Sequence, residues 1–144
     1  MEQEISRNKE QELMLSVLYQ TLVLVDMNQE IDVKQILSDA YDVEFEDVPV
    51  FAQQIMVYSL KNLDTIVNAY QNNMRKWRFE RLNKLEQALL ILSYTHFYYI
   101  GDVDRKVVID IAIKLAKKFL DKDDYKFVNA ILDNVLWANK TFSQ

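Results

Sequence analysis

Apolar residues in this chain recur at spacings of three and four over long stretches, which places them on one face of a helix. Ser6 can cap a helix N-terminus, and behind it Met14, Val17, Leu18, Thr21, Leu22 and Val25 form the first stripe. A polar connection, Asp26 to Glu30, leads to a short second helix capped by Asp32, with Val33, Ile36, Leu37 and Ala40 inward. Asp42 to Asp47 carries four acids without helical period and predicts a loop. Pro49 then stands near a helix start, where its missing N–H is tolerated. The stripe that follows, Ala52, Ile55, Met56, Ser59, Leu63, Ile66, Val67 and Tyr70, predicts the longest helix. After a polar, basic stretch from Gln71 to Lys84, Leu85, Ala88, Leu89, Leu92, His96 and Tyr99 share a face. Gly101 sits where a left-handed helix stop belongs. Asp104 or a neighbour caps a helix burying Val108, Ile111, Ala112, Leu115 and Phe119, and a last helix from near Asp123 buries Val128, Ile131, Leu132 and Val135.

The pattern predicts an all-α fold of about six to seven helices. One Gly and one Pro in 144 residues are too few for the tight turns of a β fold. Residues 1–144 read as a single domain, with the basic stretch dividing approximate subdomains 1–74 and 75–144. The core is expected to contain Met14, Leu18, Ile55, Leu89, Leu92, Ile111, Leu115, Phe127 and Ile131.

Composition narrows the chemistry. There is no cysteine, hence no disulfide or thiolate ligand, which fits a reducing cytosol. The polar start, Met1 to Lys9, does not resemble a signal peptide, and no apolar run reaches the ~20 residues of a membrane span. The expectation is a cytoplasmic protein without membrane or DNA partners. His96 is the single histidine; on an apolar stripe it reads as a buried or half-buried helix residue rather than a catalytic or metal-binding one. A phosphate-cradling loop is excluded by the single glycine. No catalytic residue, metal or cofactor is expected.

Net charge is −5, so any nucleic-acid surface must be local. The strongest local feature is Arg75, Lys76, Arg78, Arg81 and Lys84, interleaved with Trp77 and Phe79. Cations neutralise phosphates and an aromatic ring stacks on an unpaired base. The plainer reading has Trp77 plugging the core and the charges pairing with Glu80 and Glu86. A softer basic patch, Lys114, Lys117, Lys118, Lys122 and Lys126, is largely accounted for by the preference of cations for helix C-termini.

Two segments carry a resemblance. Lys106 to Phe119 looks like a valine- and isoleucine-rich helix ending in Leu-Ala-Lys-x-Phe, and Asp123 to Asp133 contains Phe-Val-Asn-x-x-Leu-Asp. Trp77, Arg81 and Leu82 match a Trp-x-x-x-Arg-Leu element, Glu86 to Tyr94 matches the helix after it, and Val17-Leu18-Tyr19 matches the first helix. With these motifs the chain resembles the NusB family, strongly after Trp77 and weakly between Met27 and Val50. The resemblance implies two helical subdomains and a transcription antitermination role. It implies binding of boxA-type RNA together with NusE, a small ribosomal protein, in the transcription elongation complex, without covalent chemistry. Arg7, Lys9 and Asp123 match RNA-binding positions, with Arg75, Lys76 and Arg78 as a further candidate; Tyr19 and Glu86 match partner-binding positions.

The chain departs from the family at informative places. The family's arginine-rich arm is reduced to Arg7 and Lys9, among Glu2, Glu4, Glu10 and Glu12, with Gln11 at another usual arginine. Ile91 stands for an arginine, His96 for a glutamate, Leu120 and Ala130 for glycines, and Asp104 for a proline. A thinned arm implies weak RNA binding without a partner. The alternative is a diverged protein-interaction module that has lost RNA binding.

Overall fold

The computed structural model describes residues 6–137. Among them are seven α-helices and no strand: α1 Arg7–Asp26, α2 Val33–Tyr41, α3 Val50–Lys61, α4 Leu63–Gln71, α5 Lys84–Thr95, α6 Arg105–Phe119 and α7 Asp124–Val135. The expected all-α architecture is therefore observed. Three helices start as their sequences require: backbone N–H groups donate to Ser6 Oγ (3.1 Å), Asp32 Oδ1 (3.1 Å) and Asn83 Oδ1 (2.8 Å). Asp104 and Asp123 stand at the starts of α6 and α7, but neither side chain makes a cap bond. Gly101 ends the α5 segment at φ 70°, after a wider single turn, His96–Ile100.

One long helix was expected between Pro49 and Tyr70; the chain instead breaks at Asn62 into α3 and α4. Asn62 Nδ2 donates to the Tyr58 carbonyl (2.9 Å), the acceptor its own backbone N–H also uses. A side chain that competes for backbone acceptors favours helix ends over helix interiors. The longest helix is α1, with 20 residues.

α5 is the central helix. Every residue from Glu86 to Ser93 is buried, so it has no single inward face as the sequence had implied. α1 packs along it in antiparallel fashion. Lys84, at the start of α5, pairs with Asp26, at the end of α1 (2.7 Å), while Arg7, at the start of α1, lies near Asp102, beyond the end of α5. α6 and α7 form a hairpin joined at its open end by Arg105, which donates to the carbonyls of Leu136 (2.6 Å) and Asp133 (3.0 Å). Seven of the nine expected core residues are buried; Ile111 and Phe127 are half-buried. Val25 and Phe119, also expected inward, are exposed at their helix ends. No helix among the described residues is long and apolar enough to cross a membrane.

Candidate nucleic-acid and partner interface

The candidate residues fall into three places. At the first, the start of α1, Arg7 is half exposed and its charge is shared with nearby groups. Its guanidinium approaches Asp102 (3.9 Å) and Glu10 (3.8 Å) and lies over the Phe51 ring, 5.1 Å from its centroid. Asp102 Oδ1 also accepts from Nε2–H of the buried His96 ring (3.0 Å), and Phe51 meets His96 edge-on. His96 is thus buried, as its stripe implied. The Lys9 side chain is exposed.

Two of the arm's acids are engaged within the fold. Glu10 is buried, and desolvation raises its carboxyl pKa despite the opposing effect of Arg7. Glu12 pairs with Lys118 of α6 (2.6 Å). Glu2 and Glu4 lie outside the described residues. Gln11 faces inward against α6, its carboxamide atoms without a hydrogen-bond partner among the described residues.

At the second place, a groove of about 660 Å³ lies between the middle of α1, the start of α5 and the end of α6. Tyr19 forms one wall, Lys84 and Leu85 another, and Phe119 and Asp121 the third. Tyr19 is 42% exposed, so it is a surface aromatic rather than a core one. Glu86 lies just beneath, 7% exposed. Desolvation, then the charges of Asp124 and Asp121, pushes its carboxyl up to about 7. Asp123, in the same acidic turn, is exposed and 3.7 Å from Lys126. Tyr19 lines this groove, while Glu86 follows Leu85 on α5 and feels the charges of Asp121 and Asp124, the turn that also holds Asp123, so the fold brings together segments that are far apart in sequence. Phe119 was missed as a surface residue because its helical register matches the core stripe. A second groove, about 410 Å³, continues along α1 and α6 toward the arm, with the Lys118–Glu12 pair between the two.

The third place, the loop from α4 to α5, reverses the expected roles of its aromatics. Phe79 fills the core position, 2% exposed and stacked on Tyr70, while Trp77 is 63% exposed. Arg75, Lys76, Arg78 and Arg81 are exposed; Arg78 pairs with Glu80 (3.0 Å), but buried Glu86 pairs with none of them. The Lys84–Asp26 pair puts this loop at the far end of α1 from Arg7 and Lys9. At 1.5 Å per residue that is ~30 Å away. The six cationic and acidic RNA candidates thus do not form one patch.

Among the described residues no group of three or more His, Cys, Asp or Glu side chains could hold a metal. The helical fold has known counterparts. The sequence pattern of the NusB family matches residues 8–136. The chain belongs to the NusB family. Over 86 residues it is 38% identical to a transcription antitermination protein NusB from Treponema denticola, covering 60% of this chain and 63% of that protein. Over 131 residues it is 27% identical to the NusB of Bacillus thuringiensis, covering 91% and 97%. The solved structure of T. maritima NusB superposes with a TM-score of 0.77 at 25% identity, over 99% of this chain and all of that one. Membership agrees with the all-α fold.

Proposed function

We propose that this chain is a NusB-type transcription antitermination factor that binds boxA-type RNA together with a NusE-like ribosomal protein, in the cytoplasm and as part of the transcription elongation complex. It acts by binding, without catalysis. The observation that carries the reading is the groove beside α1, where Tyr19, Phe119 and Leu85 offer apolar surface and Glu12 and Asp121 offer acids, with Glu86 and Asp123 next to Leu85 and Asp121 in the chain. An exposed aromatic beside a recessed, polar-rimmed groove suits a protein partner. Tyr19 and Glu86 are the partner contacts. Asp123 accepts hydrogen bonds from RNA base or 2′-hydroxyl groups, which a carboxylate can do where a partner supplies the neutralising cations. Lys9 and Arg7 contact phosphate at the arm, and Arg75, Lys76 and Arg78 supply positive charge at the opposite end.

Because Arg7 already interacts with Asp102, Glu10 and Phe51, RNA binding by the isolated chain is weak and the partner contributes much of the affinity. The test is a titration of boxA-type RNA at two salt concentrations, with and without the ribosomal protein. Tight, salt-sensitive binding only with the partner supports the proposal. In that complex, Arg7→Ala with Lys9→Ala should weaken binding and flatten the salt dependence. Binding of the ribosomal protein without any RNA binding at low salt would favour a protein-interaction module instead.

A further inference from the structure

The loop between α4 and α5 is built to hold one aromatic ring outward. Gln71, at the end of α4, staples it from below: Nε2 donates to the Trp77 carbonyl (2.8 Å) and to the Met74 carbonyl (3.2 Å), and Oε1 accepts from Phe79 N–H (2.8 Å). Gln87 of α5 adds bonds to the carbonyls of Leu82 (2.8 Å) and Glu80 (3.3 Å). Phe79 anchors the loop in the core against Tyr70, whose hydroxyl donates to the Leu90 carbonyl (2.6 Å). These bonds fix the backbone on both sides of Trp77 while its ring stays 63% exposed. Burying such a ring would be favourable, and burying Phe79 instead is what the loop's hydrogen bonds enforce. A fixed platform binds without first losing the entropy of a mobile loop.

The ring's immediate neighbours in sequence are Lys76 and Arg78, with Arg75 and Arg81 nearby. Arg75, Lys76 and Arg81 form no ion pair among the described residues. A lone ring set between cations suits a base with phosphates on either side.

We infer that Trp77 is a stacking platform for an unpaired base of single-stranded RNA, with Arg75, Lys76 and Arg81 holding the flanking phosphates. This rests on the RNA-binding reading and adds to it a second contact, ~30 Å from the arm by the length of α1. Stacking is tolerant of base identity, so the platform holds RNA flanking the specific element rather than reading its sequence.

The test uses the full chain with the ribosomal protein and two RNA sets: a boxA-type oligonucleotide alone, and the same oligonucleotide extended by about ten unpaired nucleotides at either end, a length within the range of single-strand sites. One of the extended RNAs should bind about tenfold more tightly than the short one. Trp77→Ala should remove that gain and leave short-RNA affinity unchanged, while Trp77→Phe should retain most of it. Arg75→Ala with Lys76→Ala should reduce the gain and flatten its salt slope by roughly 0.7 per cation removed. An unchanged thermal midpoint confirms that each variant folds. An equal gain in Trp77→Ala and wild type, or no gain in wild type, overturns the platform but leaves the RNA-binding reading standing. Failure of wild type to bind either RNA overturns both. Loss of affinity for the ribosomal protein alone in Trp77→Ala makes the loop a protein contact and also overturns it.

Discussion

At the scale of single residues, Glu86 is an acid whose surroundings oppose its charge. Burial first, then Asp124 and Asp121, pushes its carboxyl from 4.5 up to about 7. The folded chain therefore retains a proton that the unfolded chain has lost. By linkage, stability falls as pH rises from about 4.5 to about 7 and stays reduced above that. Glu86→Gln removes the penalty. It should raise unfolding free energy at pH 8 by roughly 1–3 kcal/mol, several degrees in Tm, and leave pH 4 nearly unchanged. Equal gains at both values would show that the charge is not the cause. Tyr19 gives a complementary expectation at the same groove: Tyr19→Ala should weaken the NusE-like ribosomal protein at least tenfold in calorimetry, with little loss of stability. Both residues were legible in sequence only through the motifs around them, because periodicity does not distinguish a groove wall from a core position. Trp77 and Phe79 show the limit clearly. They are aromatics two residues apart in a loop without period, and the hydrogen bonds of Gln71 decide which one turns inward.

At the scale of elements, the caps Ser6 and Asp32 were readable, whereas Asn83 and the break at Asn62 were not. Ser6, Asp32 and Asn83 hold helix starts with side-chain bonds, as residues of their type do. Asn83 matters most, since α5 is the central helix and its first turn carries Glu86 beside the groove. Asn83→Ala should cost about 1 kcal/mol in urea unfolding, and Asn83→Asp should recover most of it. A cost below a few tenths would mean that tertiary packing holds the helix start by itself. The break at Asn62 escaped the sequence because the apolar stripe continues through it from Ser59 to Leu63. A spacing of four is kept whether the helix is straight or kinked. Ser59 and Thr95 then share a buried hydroxyl contact (2.8 Å), which ties α3 to the end of α5 on one side of the break. The overlap of Phe119 with the α6 stripe has the same origin: a helix's last turn keeps the register after the neighbouring helix has ended.

At the scale of the whole molecule, the packing of α1 on α5 joins the two halves on either side of residues 74 and 75. That contact could not be read from the chain, because amphipathic faces do not name their partners. It decides two consequences. The arm and the basic loop stand at opposite ends of α1, so RNA touching both must run the length of the molecule. The halves also share one continuous core, including Leu15 and Leu18 from α1 and Leu89 and Leu92 from α5. We propose that subdomains 1–74 and 75–144 are regions of one cooperative unit and not independent folders. Leu89→Ala opens a cavity at a fully buried site of that shared core, and large-to-small changes there cost about 2–5 kcal/mol. The variant should lower the urea midpoint by that free energy divided by an unchanged m-value, and near-UV and far-UV circular dichroism should trace the same single transition. If only half of the helical signal moves to lower urea while the rest stays at the wild-type midpoint, the halves fold separately. The α1–α5 contact would then be a docking surface between two separately folded halves.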